Sequence, residues 1–128
     1  MGLGEDTERI AELFAGYGTV SVRRMFGGAG VFAEGLMIAL VVDGVIYLKA
    51  DADSAPDFER EGLGPFSYQT SHGTRTLTSY WRMPERLYDD PDELAAWAAR
   101  AMRSARRADA LAHRKRGEKS GGSGRKRS

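Results

Sequence analysis

The sequence predicts an antiparallel α+β fold: about five to six strands, arranged as a meander plus a hairpin, packed with three helices. Short β-branched runs are separated by glycine turns, and apolar residues near both ends recur at helical spacing. The strands follow one another without the helical crossovers that a parallel sheet requires. With 128 residues, 41% of them hydrophobic, the chain can bury one core.

The first element is predicted to be a helix. Apolar residues recur there at positions i, i+3, i+4 and i+7: Ile10, Leu13, Phe14 and Tyr17. Asp6 or Thr7 is expected to cap its start, and Gly16 to help end it. A strand over residues 19–26 should follow, because this segment is rich in β-branched residues.

Residues 30–50 predict a three-stranded meander. Glu34-Gly35 and Asp43-Gly44 separate the apolar runs, and such pairs adopt the positive φ angles of tight hairpin turns. Residues 36–42 are apolar at both alternating sets of positions, which predicts a central strand covered on both faces.

Two further elements are predicted before the last helix. A short middle helix should span residues 54–61, with Ser54 as its cap and Phe58 as its anchor. Residues 66–83 contain two β-rich runs flanking the turn residues 71–73, so they predict a second antiparallel hairpin.

The longest helix is predicted from Asp90 to about Ala112. Asp90 provides a cap, Pro91 suits the first turn, and two carboxylates follow at the positive end of the helix dipole. Its apolar positions repeat at helical spacing: Leu94, Trp97, Ala98, Ala101, Met102 and Ala105. Capping also explains the acidic residues 89–93 better than a metal site does.

Charge is distributed unevenly along the chain. Residues 1–102 hold nine basic and sixteen acidic residues, whereas residues 103–128 hold ten basic and two acidic ones. Residues 114–128 contain no apolar side chain, so we expect a folded domain over residues 1–113 and a disordered basic tail over 114–128. The tail either attracts nucleic acid through phosphate neutralisation or only adds solubility. Its candidate contacts are Arg114, Lys115, Arg116, Lys119, Arg125, Lys126 and Arg127.

Several classes of protein are excluded or disfavoured by composition. The chain has no cysteine, which excludes disulfides, thiolate metal sites and cysteine nucleophiles and suits a reducing cytoplasm. No apolar run is long enough to span a membrane, and no secretion signal is evident. The only histidines, His72 and His113, lie in a predicted turn and near a helix end. We therefore expect no catalytic residue, no cofactor and no metal.

The glycine-rich string at residues 25–30 is the most conspicuous motif. Gly27 and Gly28 could hold an anion through backbone amides, but the string matches neither nucleotide-binding glycine motif, and a bend where backbones approach closely is favoured. Arg23 and Arg24 precede it and are candidate contacts for an anion or a partner carboxylate. Lys49 is a further candidate, although its default role is an ion pair with a carboxylate such as Asp51.

Aromatic and basic residues share the second hairpin. Tyr68, Tyr80 and Trp81 lie near Arg75 and Arg82, a combination that nucleic-acid-binding sheets use to stack bases. Alternation puts Tyr80 and Trp81 on opposite faces, so one of the two is expected to be part of the core.

Several strings, in this order, resemble the N-terminal domain of the TfoX/Sxy family over about residues 7–108. They are RRMFGGAGVF at 23–32, GLM at 35–37, DGVIYLKAD at 43–51, PFSY at 65–68 and DDPDEL at 89–94. The resemblance implies a small α+β domain involved in regulating natural competence. It also implies action alongside the cyclic-AMP receptor protein at promoters, and no enzymatic activity.

Three hypotheses follow from the sequence. The first is a cytoplasmic, non-enzymatic regulatory or adaptor domain that acts through protein contacts, with a cyclic-AMP-receptor-type transcription factor as the implied partner and nonspecific DNA attraction by the tail. The second is a homodimer formed through an edge of the meander or the alanine-rich face of the last helix. The third is a ligand-binding protein or enzyme using Arg23, Tyr47 and Lys49.

Overall fold

The structure, a computed structural model, describes residues 6–25 and 27–124, and the last part of this range, 118–124, by its backbone alone. The elements are α1 (Thr7–Leu13), β1 (Ser21–Met25), β2 (Gly28–Ala33), β3 (Leu36–Val42), β4 (Val45–Lys49), α2 (Ala55–Arg60), β5 (Pro65–Thr70), β6 (Gly73–Arg82), a 3-10 helix (Glu85–Asp89) and α3 (Pro91–Gly124). The six strands form one antiparallel sheet in the order β1-β2-β3-β4-β6-β5. The predicted α+β fold is confirmed.

The two tight turns of the meander have the predicted backbone geometry. Glu34 and Asp43 both have φ of 53°, and the glycines that follow them have φ of 80° and 77°. These left-handed conformations match the twist of the flanking strands, which is why the acid-glycine pairs close hairpins here. Phe26, predicted to end the first strand, lies outside the described residues.

Side chains cap two of the three helices as predicted. The Asp6 carboxylate accepts a hydrogen bond from the Arg9 amide at 3.1 Å, and the Asp90 carboxylate accepts one from the Glu93 amide at 3.0 Å. Ser54 precedes α2, but its hydroxyl does not cap that helix. It instead lies 3.1 Å from the Asp51 amide, which donates to it, so the predicted capping role of Ser54 is wrong.

A single core lies between the sheet and the helices. The register aligns Val31, Ala39, Leu48 and Trp81 across four strands, and all four are buried. All three helices and the 3-10 helix contribute to the same cluster; their buried residues include Ile10, Phe14, Phe58, Leu87, Leu94, Trp97 and Met102. The helices therefore cover one face of the sheet.

The other face of the sheet lacks such a cover among the described residues. β3 is central, as predicted, but only Ile38, Ala39 and Val41 are buried, and its other four residues are half-buried. Alternation is regular from Ala39 to Val42 and is interrupted at Ile38, where the register with β2 shifts. Leu40 and Val42 are among the half-buried residues. The expectation that both faces of this strand are covered is therefore wrong: its apolar pattern is two-sided, but the helices pack on one side only.

The last helix is longer than predicted. α3 continues to Gly124 instead of ending near Ala112, so residues 114–124 are helical where a disordered tail was expected. Extending an existing helix adds one hydrogen bond per residue and requires no new nucleus, which favours continuation through Arg114, Lys115 and Arg116, although the glycines at 117, 121, 122 and 124 are poor helix formers. Residues 125–128 lie outside the described part, and the division into domain and tail stays a prediction. No described helix is both long and apolar enough to cross a bilayer.

Candidate functional site

The helix-free side of the sheet is the main candidate surface. Paired residues on antiparallel strands point to the same side, and the register places Arg23, Gly30, Leu40, Tyr47 and Arg82 in one row across five strands. We call this side the open face. Its apolar and aromatic residues are Met25, Phe32, Met37, Leu40, Val42, Val45, Tyr47, Phe66, Tyr68, Leu77 and Tyr80, and its cationic residues are Arg23, Lys49, Arg75 and Arg82.

An aromatic cluster occupies one side of the open face. The ring of Tyr47 on β4 meets that of Phe66 edge-on, with centroids 4.9 Å apart, and Phe66 stacks on Tyr68 at 5.7 Å. Tyr68 is 42% exposed and Leu77 is 38% exposed, although both are large apolar side chains. These two side chains and the rings beside them form a partly exposed apolar patch, which makes this side of the sheet the candidate surface.

The cations of the open face lie against its rings. The Arg23 guanidinium is 4.1 Å from the centroid of Phe32, and the Lys49 ammonium is 5.0 Å from that of Tyr80. Burial raises the pKa of Tyr80 to about 12. Burial also lowers the pKa of Lys49, although nearby Asp51 partly opposes this. Arg23 and Lys49 thus each cover aromatic surface on this side of the sheet.

The sheet is strongly biased in charge. The six strands contain five Lys or Arg residues and no Asp or Glu, although the first 102 residues are acidic overall. The carboxylates lie in the helices and connecting segments, where Arg106 pairs with Glu34 and Arg107 with Asp51. The open face is therefore a cationic and apolar surface on an acidic domain.

The structure does not gather the predicted contact residues into one anion site. Arg23 lies on the open face, but Arg24 aligns with Ala29 and points to the opposite side. Lys49 shares the open face with Arg23 but lies on β4, three strands away. Asp51, the suggested partner of Lys49, instead accepts hydrogen bonds from Arg107 at 2.5 and 3.0 Å.

The glycine-rich string serves close packing of the backbone. Gly27 has φ of 77° and forms the turn between β1 and β2. A Cβ on Gly28 would lie 2.2 Å from the Val41 carbonyl oxygen, and one on Gly30 would lie 2.8 Å from the Met37 sulfur. Close approach between β2 and β3 thus accounts for these glycines, as the favoured interpretation of the motif required.

The basic residues of the C-terminal segment lie far along α3. Arg114, Lys115 and Arg116 are exposed on this helix. The side chain of Lys119 is not among those described, and Arg125, Lys126 and Arg127 lie outside the described residues. Their proposed contact with phosphate groups stays a prediction.

Two clefts lie at the margins of the open face: Val45 and Arg82 line the larger one, and Lys49 lines the smaller one. The larger, of about 1130 Å³, lies between α1, the β3–β4 turn, the 3-10 helix and the start of α3. On its wall, Arg86 donates to Glu61 at 2.5 and 2.9 Å and to Glu93 at 2.8 and 3.1 Å. These hydrogen bonds lower the pKa of both glutamates, and they tie α2 to the start of α3.

The smaller cleft, of about 620 Å³, lies between Asp51, Trp81 and the later part of α3. Burial tends to raise the pKa of Asp51, but hydrogen bonds from Arg107 and the Ser54 amide outweigh it, and the pKa is lowered. Neither cleft is lined by Arg23 or Tyr47, so the suggested ligand site formed by Arg23, Tyr47 and Lys49 does not coincide with either. Within the described residues, no cluster of three or more His, Asp or Glu could hold a metal ion.

The sequence prediction missed most of the open face. Tyr68, Arg75 and Arg82 were noted only as a base-stacking motif, and Phe66 and Leu40 were not singled out. Two signals could have found them: β3 is apolar on both sides in a chain with few helices, and the strands lack acidic residues. The prediction that either Tyr80 or Trp81 joins the core is confirmed, since Trp81 belongs to the core cluster and Tyr80 does not.

Comparison with known proteins agrees with this architecture. The TfoX N-terminal domain family matches residues 12–105. A DNA transformation protein of Aliivibrio fischeri (strain ATCC 700601 / ES114), TfoX1, is 29% identical over 99 residues, which cover 77% of this chain and 47% of that protein. The chain thus spans about half the length of this curated relative. Because the family match extends over most of the sequence, the chain belongs to the TfoX N-terminal domain family.

Proposed function

We propose that this chain is a non-enzymatic regulatory or adaptor domain and that the open face is its protein-contact surface. The observation behind the proposal is that β3 is apolar on both sides while the described helices cover only one. An antiparallel sheet with one solvated face normally alternates apolar and polar residues. Retaining Leu40, Val42 and Tyr47 on the uncovered side therefore favours a partner that buries them.

The family supports a regulatory process as the setting. The relative from Aliivibrio fischeri is named a DNA transformation protein, and the TfoX family is associated with natural competence. We propose a corresponding role here, with a transcription factor of the cyclic-AMP-receptor type as one partner to test.

Self-association is the alternative, and the structure disfavours two of its forms. Ala98, Ala101 and Ala105 pack on the sheet, so this side of α3 is not available to a second copy. Two open faces packed together would bring eight cations into one interface with no strand carboxylate to neutralise them. A different protein is therefore the better partner for the open face, whereas a homodimer formed through an edge of the meander stays a prediction.

Weak DNA attraction is proposed for the other end of the molecule. Arg114, Lys115 and Arg116 project from α3 beyond the sheet, and the chain ends in further basic residues. A cluster of cations attracts phosphates without sequence preference. This contact would keep the domain near DNA while the open face holds a protein.

Affinity purification from the source cell tests the protein-contact role. The open-face variant combines Tyr68→Ala with Arg82→Glu, and the matched control combines Leu111→Ala with Arg103→Glu on α3, where Leu111 is 48% exposed. We expect a protein to co-purify with wild type and control after nuclease treatment, but not with the open-face variant. Equal capture by both variants, each folded by circular dichroism, would refute the assignment.

A further inference from the structure

We infer that the open face binds an acidic amphipathic segment of another protein, in which carboxylates alternate with apolar residues. This inference rests on the proposed protein-contact role and names the chemistry of the partner. It follows from three properties of the surface: its positive charge, its apolar floor, and the side chains that already lie over its aromatic rings.

Charge complementarity selects an anionic partner. Arg23 and Arg82 lie at the two ends of one row, separated by four strand spacings or about 19 Å. Lys49 lies on the next row of the same face, Arg75 lies farther along β6 on the hairpin with β5, and no strand residue is acidic. A neutral or basic segment would leave these cations without counter-charges, whereas carboxylates would accept their hydrogen bonds.

The floor between these cations is apolar, which selects a partner with apolar residues as well. Leu40, Val42, Val45 and Tyr47 are all half-buried and form adjacent pairs across β3 and β4. An uninterrupted acidic run would leave this floor exposed to water. A segment that alternates carboxylate and apolar side chains would instead satisfy both parts of the surface.

The aromatic rings argue against single-stranded nucleic acid as the occupant. Base stacking needs free ring faces. Here Arg23 lies over Phe32, Lys49 lies over Tyr80, and Phe66 stacks on Tyr68. A guanidinium over a ring still has N–H groups to donate to a carboxylate, so a protein segment can bind without displacing it.

Fluorescence anisotropy on the full chain tests the inference with three labelled probes. The first is a peptide alternating Glu with Leu and Phe, the second replaces every Glu by Lys, and the third is a single-stranded DNA oligonucleotide of equal net charge to the first. We expect the acidic peptide to bind more tightly than the lysine peptide. The oligonucleotide can also be held by the basic segment of α3, so its binding counts against the inference only if the variant with Arg75→Glu and Arg82→Glu weakens it. Tighter binding of the lysine peptide, or no binding of the acidic peptide, overturns the inference.

Charge reversal locates the binding. The variant with Arg75→Glu and Arg82→Glu should bind the acidic peptide about tenfold more weakly and gain affinity for the lysine peptide. The control Arg103→Glu, on the helix side, should match wild type. If both variants bind equally well, the acidic peptide is not held by the open face.

The outcome is separable from that of the proposed function. One outcome is that the variant carrying Tyr68→Ala and Arg82→Glu no longer captures the protein, while the wild-type chain shows no preference for the acidic peptide. That outcome would support the open face as the contact surface and contradict the acidic character of its partner. If that variant captures the protein as well as wild type does, both the contact role of the open face and the acidic partner are contradicted.

Discussion

Single residues show how a functional-looking motif can serve packing. Gly28 stands in the most conspicuous string of the sequence, yet its role is to let the β2 backbone approach the Val41 carbonyl. Sequence alone could rank this interpretation above an anion site, because no helix follows the glycines. It could not identify the contact itself, which depends on the register between β2 and β3.

Gly28→Ala should therefore destabilise the fold. A methyl group 2.2 Å from a carbonyl oxygen forces the two strands apart, at a cost of about 1–3 kcal/mol in the free energy of unfolding. Gly64→Ala is the matched control, because its Cβ would have no neighbour within 4 Å. Urea denaturation measures both; equal stability of the two variants would contradict the packing role.

Arg86 provides a second test at this scale. Its hydrogen bonds keep the pKa of Glu61 and Glu93 below the ordinary value of about 4.3, so their contribution to stability is present above that pH and is lost as the pH falls through the lowered values. Arg86→Gln should lower the melting temperature at pH 7.

The pH dependence of that difference distinguishes ion pairing from lost packing. The gap between wild type and Arg86→Gln should shrink as the pH is lowered from 5 to about 2.5, because both glutamates become protonated. Thermal melts followed by circular dichroism give the comparison. A gap that stays constant over this range would mean that the charges are not responsible.

At the scale of elements, local signals predicted most of the fold. Acid-glycine pairs located the meander turns, and Asp6 and Asp90 located two helix starts. The 3-10 helix and the end of α3 were missed, because a short segment has no periodicity to detect and a helix of Arg and Lys lacks an apolar stripe. Whether one or both faces of β3 are covered depends on where the helices pack, and the sequence of the strand does not specify that.

The two parts of α3 should respond differently to substitution. Leu94 is fully buried in the core, whereas Leu111 is 48% exposed. Leu94→Ala should cost about 2–5 kcal/mol, and Leu111→Ala less than about 0.5 kcal/mol, in the free energy of unfolding. Denaturant titration of the two variants is the measurement. Similar losses would mean that the later part of α3 packs as tightly as the first.

The C-terminal basic segment makes a separate prediction. If about six of its charges meet phosphates, the affinity for duplex DNA should fall about a thousandfold between 50 and 200 mM salt. Deletion of residues 114–128 should abolish the binding, as measured by anisotropy with a labelled duplex. If the shortened chain binds the duplex as well as the full chain does, another part of the molecule contacts the DNA.

The whole molecule has two unlike sheet faces: the face covered by the helices holds the core, and the open face is the proposed contact surface. Sequence supported the family and the α+β fold, and it drew attention to Arg23 and Lys49 as surface cations. It did not reveal that they share a surface with Tyr68, because that requires the register of all six strands. The site is a property of the assembled sheet and of no single motif.

Photo-crosslinking in the source cell tests the open face most directly. A benzoylphenylalanine residue replaces Tyr68 in one strain and Leu111 in another, two positions of similar exposure, the first on the open face and the second on α3. The account predicts a defined protein adduct after irradiation from position 68 and none from position 111. Adducts from position 111 alone, or from neither position, would contradict it.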